Sequence, residues 1–268
     1  MTAALVVLGL FVVILALLLV FFARTRATGH AHLKSAPGLT EDMLADLSVS
    51  TAVKGDESPD AKQVAFLCAG ETAPAQTYIS HVFLKDPRIT ELEPHGFIRV
   101  DWQMEHAKPD RYHVLESAWG QLGFQYHEWV TIGPAHYEST NLWAPSSPDK
   151  RAAWNQALRA DKFLAILSSQ EPRSADLYRY RGVPYYLLTY ELSSLDGFGP
   201  LAESLPAPYE IRAWVHRGTG LLARGDVIAA ADGNSPARPE LTQVFTHYNE
   251  AVQIAVPQTE TSPEEPPV

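Results

Sequence analysis

The sequence predicts an α+β domain, a curved and mostly antiparallel sheet with one or two helices laid across it, behind an N-terminal transmembrane helix. Three observations carry this. The chain opens on a long apolar run, Ala3 to Ala23. Apolar and polar residues alternate with a period of two through much of residues 97–256, which is the period of a half-buried strand. One amphipathic stretch with a capped start, at Ser147-Pro148-Asp149, interrupts the alternation.

Ala3–Ala23 is apolar throughout apart from Gly9. At about 1.5 Å per residue, some 20 residues cross a hydrocarbon core of roughly 30 Å. Arg24 and Arg26 end the run, because a guanidinium at the bilayer centre costs at least a few kcal/mol. A cleaved secretory signal is the competing interpretation. The run is longer than the 7–15 residues usual for a signal core, no positive region precedes it, and no small-x-small cleavage site follows. The expectation is a single-pass anchor over residues 1–26. No cysteine follows it to carry a lipid.

The chain has 268 residues and a formal charge of −10. All three bases of the first 40 residues, Arg24, Arg26 and Lys34, come without an acid, so the remainder holds 18 basic residues against 31 acidic, a charge of −13. An acidic domain repels phosphate backbones, which argues against a nucleic-acid partner. Cys68 is the one cysteine, so no intrachain disulfide forms.

Residues 27–62 read as a stalk, a short helix over Leu39–Val53 with Thr40 as N-cap, and a charged loop, Lys54–Lys62. The β-rich domain is expected over 63–257, and residues 258–268, rich in Pro, Glu, Thr and Ser, as a disordered tail. In Phe97–His106, Ile98, Val100, Trp102 and Met104 alternate with Arg99, Asp101, Gln103 and Glu105. A Lys108-Pro109-Asp110-Arg111 turn leads to a return strand over Arg111–Ala118. Tyr126, Glu128, Val130 and Ile132 mark the next strand, and His136–Trp143 a short one. The helix after Ser147 places Trp154, Ala157, Leu158, Leu164 and Ala165 on one face. Three hairpins follow, turning at Arg181-Gly182, at Arg217–Gly220 and at Asp232-Gly233-Asn234. A last strand is expected over Val252–Val256.

This order of elements carries a resemblance. Pro109-Asp110-Arg111-Tyr112 lies between strands. Trp129-Val130-Thr131-Ile132-Gly133 with Tyr137 follows, and Trp143 leads into the helix. Gly182-Val183-Pro184-Tyr185-Tyr186, Trp214-Val215-His216 with Thr219-Gly220-Leu221-Leu222, and Phe245–Glu250 complete the succession. It resembles the bacterial LolA-like and LppX/LprG-like envelope proteins over roughly residues 95–257. The resemblance implies a half-barrel with helices in its concavity and an exported protein that binds lipids, acyl chains or lipoproteins. It also implies an extracytoplasmic domain, whereas the basic residues after the anchor place that side in the cytoplasm. Residues 63–94 and the missing lipid-carrying cysteine depart from the family pattern.

The residues expected to line an apolar site are Ile98, Val100, Trp102, Val114, Val130, Ile132, Leu187, Val215 and Phe245. Alternation alone favours a solid core against the Trp154 helix, since any half-buried strand shows it; only the resemblance lifts a cavity above that reading. No catalytic constellation emerges. HExxH, CxxC, GxSxG, P-loop and GxGxxG patterns are absent, so neither a metal nor a cofactor is expected. His30 and His32 fall on the stalk, His106 and His113 would approach across a hairpin, and Asp101 and Glu105 share a strand face as solvated carboxylates do. Cys68, in an apolar run, reads as a small core residue. The expected function is a membrane-anchored, non-enzymatic binder or carrier of a lipid or other apolar ligand in the cell envelope. The alternative is an anchored scaffold subunit of a membrane complex, with a filled core and an envelope protein as partner.

Overall fold

The computed structural model describes residues 41–84, 97–120, 123–139, 143–146, 160–195, 208–229 and 239–258. The expected anchor, Ala3–Ala23, and the tail beyond residue 258 lie outside the described residues, as do Trp154 and the start of its helix. Among the described residues no helix is long and apolar enough to cross a membrane. By contacts the chain divides into two units, residues 1–38 and Leu39–Val268. The second holds every element below.

Three helices are described: α1 (Glu41–Asp46), α2 (Ala61–Thr72) and α3 (Ala160–Ser169). The strands are β1 (Val53–Lys54), β2 (Thr77–Leu84), β3 (Phe97–Ala107), β4 (Arg111–Gly120), β5 (Gly123–Ile132), β6 (Ala135–Ser139), β7 (Trp143–Ser146), β8 (Ser174–Tyr180), β9 (Val183–Leu192), β10 (Tyr209–His216), β11 (Leu222–Ala229) and β12 (Pro239–Thr246). They form one curved sheet in the order β1-β8-β9-β10-β11-β12-β2-β3-β4-β5-β6-β7, antiparallel at every pairing. Local chemistry sets the turns. Arg181 (φ 50°) and Gly182 (φ 83°) both take left-handed conformations between paired Tyr180 and Val183, the geometry of a two-residue hairpin matched to strand twist. Gly220 (φ 73°) closes β10–β11, where an added Cβ would meet Leu67 Cγ at 2.9 Å on α2.

The sheet buries both faces. On its inner face, α2 and α3 pack over Leu188, Tyr190, Ile211, Ala213 and Val227 through Val64, Cys68, Phe163, Leu164 and Leu167. On the outer face, Leu44 of α1 and the following Leu47 cover Tyr178, Tyr185, Leu187, Trp214 and Val244. A buried Arg224 fixes α1 there. Its Nη1 donates to the Leu44 and Ala45 carbonyls at 3.2 and 2.6 Å, and its Nη2 meets Asp226 Oδ1 at 2.7 Å. Thr242 Oγ1 and Trp214 Nε1 also donate to Asp226, at 2.8 and 3.4 Å.

Several elements differ from the sequence expectation. The helix of Leu39–Val53 is cut to α1: Thr51 Oγ1 donates to the Asp46 carbonyl at 2.7 Å, and the chain turns into β1. Residues 63–94, which fitted poorly, contain most of α2, capped by Asp60 through Lys62 N and Gln63 N, and the interior strand β2. In α3 the buried residues are Phe163, Leu164 and Leu167, while Ala165 is exposed. Val252–Val256 is not a strand. There the chain is tied to the start of β2 by Asn249 N donating to the Thr77 carbonyl and Gln76 N to Asn249 Oδ1.

Candidate functional site

The pleat places alternate residues of each strand on the inner face, and cross-strand pairing aligns them into rows. One row runs Gln243–Val82–Trp102–Glu116–His127, from β12 to β5. The next runs Phe245–Ser80–Met104–Val114–Trp129–Glu138. A third runs Tyr78–His106–Tyr112–Thr131–His136. Apolar and aromatic side chains fill the centre: Val82, Met104 and Val114 are fully buried. The His106 ring sits between Tyr78 and Tyr112, with centroids at 4.5 and 5.0 Å.

Polar groups are set into this surface. Trp102 Nε1 donates to Glu116 Oε2 at 2.7 Å, and both residues are buried. Thr131 Oγ1 and His136 Nδ1 share a hydrogen bond of 3.0 Å, and His127 Nδ1 lies 3.8 Å from Glu138 Oε1. Ser80 Oγ and Tyr190 OH are buried without a hydrogen-bond partner in the described structure. Burial raises the Tyr190 phenol well above its usual range and pushes the Cys68 thiol up to about 12, against a lowering hydrogen bond from Thr72. Cys68 therefore stays a protonated thiol at neutral pH, with little nucleophilic character.

The expected lining residues divide between the faces. Trp102, Val114, Val215 and Phe245 are brought together in the inner cluster. Leu187 lies in the outer cluster under α1, and the inward place belongs to its neighbour Leu188. Val130 pairs with His113 and Tyr137, and with Ile132 two residues on it takes the outer phase of β5, because Trp129 is the residue aligned with Val114. Ile98 and Val100 belong to β3, and their side chains lie outside the described residues. Sequence analysis missed Tyr78, Ser80, Val82, Tyr112, Trp129 and Tyr190. For β2 the signal was present but phaseless, since Tyr78/Ser80/Val82 and Ile79/His81/Phe83 are equally apolar alternates.

His106 and His113 do not meet. His113 pairs with Glu105 on the outer face, while His106 pairs with Tyr112 on the inner one. His113 Nδ1 lies 3.1 Å from Glu105 Oε2 and Nε2 2.7 Å from Glu128 Oε1, so its imidazolium donates to both. Burial is the largest single influence and opposes the charge, but the two carboxylates together outweigh it and hold the pKa at about 9. A folded-state pKa raised above the unfolded value near 6.5 contributes stability that is complete below pH 6.5 and lost as pH rises through about 9. Urea unfolding at pH 6 and at pH 10 is expected to show a loss of about 2 kcal/mol at the higher pH. His113→Gln is expected to remove most of that difference; an undiminished slope in the variant would place its source elsewhere. Among the described residues, no group of three or more His, Cys, Asp or Glu is placed to hold a metal ion.

Among solved structures, this fold is similar to that of LprF from Mycobacterium bovis. The TM-score is 0.53 at 13% identity, over 75% of this chain and 99% of that one. The LolA-like, LppX/LprG-like half-barrel read from the order of elements is thus the fold of this chain. No family model matches the sequence, and no curated protein does.

Proposed function

We propose that the Leu39–Val268 domain binds a lipid or other apolar ligand against the inner face of its sheet, without catalysing a reaction on it. Residues 3–23 hold it to a bacterial membrane, with the domain on the extracytoplasmic side. The observation that carries this reading is the inner face of β2–β5. It combines a large buried apolar and aromatic surface with the inward Ser80 hydroxyl, and Tyr190 of β9 belongs to the same inner cluster; neither hydroxyl has a hydrogen-bond partner in the described structure. A buried hydroxyl left unpaired costs roughly 1–3 kcal/mol, which a ligand's polar atom recovers. The half-barrel likeness to LprF and the absence of an activated nucleophile at Cys68 support the same reading.

A scaffold role has its own supporting observation: Phe66 on α2 is 82% exposed, and Phe124 and Tyr126 on β5 are 56% and 51% exposed, surfaces suited to a protein partner. Native mass spectrometry of residues 35–268, purified without detergent and followed by organic extraction, separates the two. A co-purifying mass that leaves on denaturation and is identified as a lipid is expected. An apo mass that also takes up no added lipid defeats the binder and leaves the scaffold.

A further inference from the structure

Ser80 stands in the middle of the inner layer. Strand β2 is paired on both sides, and on the inner face Ser80 lies between Phe245 of β12 and Met104 of β3, with Tyr78 and Val82 next along its own strand. All four neighbours are buried, and so is Ser80, at 0% exposure. Its hydroxyl has no hydrogen-bond partner in the described structure. The backbone does not supply one. In an interior strand the carbonyls lie in the plane of the sheet and serve the ladders to β12 and β3, whereas the side chain stands perpendicular to it. A buried hydroxyl ordinarily finds an acceptor, and an apolar residue in its place would avoid the cost of desolvating it. In a layer that had only to be solid, alanine or valine would fill this position at lower cost.

We propose that Ser80 reads the polar part of the ligand by donating to the carbonyl oxygen of a carboxylic ester, so that the site takes ester-bearing lipids in preference to a bare hydrocarbon chain. This inference rests on the apolar-ligand reading above and names the ligand class of that same site. An ester fits better than a free carboxylate, because a full charge set against Phe245, Met104, Tyr78 and Val82 would exchange water for apolar side chains. The ester carbonyl is a neutral acceptor, and its hydrogen bond gains strength in low-dielectric surroundings. The inner rows through Val82 and through Tyr78 flank Ser80 on either side. The ester thus lies inside the layer rather than at its rim, with apolar chain extending from it over Met104 and Val82.

The test uses the full-length chain, immobilised in a neutral maltoside detergent and incubated with an equimolar mixture of methyl oleate and octadecene. After washing, the retained probes are extracted into organic solvent and measured by gas chromatography. Ser80→Ala removes the donor with little change in volume, and is expected to lower the retained ratio of ester to hydrocarbon at least about fivefold. Partition of the probes into detergent is the same for both chains, so the change in ratio isolates the hydroxyl. Val82→Ala takes apolar surface from the same layer; it is expected to weaken both probes together and to leave the ratio within about twofold of the natural one. An unchanged ratio in Ser80→Ala, with both probes still retained, would overturn the proposal and leave the apolar-ligand reading standing. An equal fall of the ratio in Val82→Ala would overturn it as well. So would a Ser80→Ala chain that fails to fold, because a hydroxyl on which the fold depends already has its partner within the protein. Retention of neither probe by the natural chain is a different result: it removes the apolar-ligand reading itself, and this inference with it.

Discussion

Replacing Arg224 by methionine is expected to destabilise the domain by about 3–5 kcal/mol and to release α1 from the sheet. Two different energies are involved. Arg224 is 4% exposed and Asp226 3%, so the variant leaves a buried carboxylate without its cation. Thr242 and Trp214 still donate to Asp226, but neutral donors only partly offset the charge. The second energy is local. Arg224 satisfies the carbonyls of Leu44 and Ala45 at the C-terminal end of a six-residue helix. A helix that short has no stability of its own in water. With the guanidinium gone, α1 keeps the packing of Met43, Leu44 and Ala45, with the following Leu47, on the cluster around Trp214, and the Tyr180 hydroxyl donating to Asp46 at 2.9 Å. Urea denaturation measures the first effect and hydrogen exchange over residues 41–47 the second. Adding Asp226→Asn to Arg224→Met is expected to restore a large part of the global loss, because it removes the stranded charge. Protection of residues 41–47 is expected to stay low in both variants. A global loss under about 1 kcal/mol would mean that the pair is not fully desolvated in solution.

How much of this was legible in the sequence follows from which signals stay local. The β8–β9 and β10–β11 hairpins were readable because their turns rest on single residues, Arg181-Gly182 and Gly220, whose left-handed backbone the sequence advertises through glycine. The LppX/LprG-like half-barrel was readable because strand order survives at low identity. The phase of the interior strands was not readable. A strand covered on one face shows which side is inward, but β9 lies between α2 on one face and α1 on the other. Its Leu187 and Leu188 are then equally apolar, and only the register with β10 assigns Leu188 to the inner cluster. Strand β5 has the same ambiguity with aromatic residues, and Trp129 takes the place that Val130 was expected to hold. Lining residues that an isolated strand could identify, Trp102 and Val114, did fall on the inner face. Arg224 was invisible for a further reason: its partners, Leu44 and Thr242, are 180 and 18 residues away.

The same register explains why Gly225→Ala is expected to cost more than an ordinary strand substitution, for which alanine would be neutral or favourable. Gly225 pairs with Gln243 on the inner face, directly beneath α3. A Cβ built on it would lie 2.2 Å from Phe163 Cζ and 2.5 Å from Cε2. The ring has little room to retreat, since Phe163 is 1% exposed and stands edge-on to Phe245 at 6.4 Å. Either α3 lifts from the sheet or Phe163 leaves its rotamer, and overpacking of this kind costs about 1–3 kcal/mol. Phe163→Ala alone opens a cavity and is expected to cost about 3–5 kcal/mol. In that background the added methyl of Gly225→Ala meets empty space, so the two losses are expected not to add. Urea denaturation of the two single variants and the double variant should give a coupling of at least about 1 kcal/mol, with the second substitution close to neutral. Additive losses would show that Phe163 does not rest on the glycine in solution. Non-additivity would locate the closed end of the inner layer at β11–β12, where helix and sheet touch without a gap. Any room for an apolar ligand then belongs beside Trp102, Met104 and Val114, in the half of the sheet that also carries Glu116.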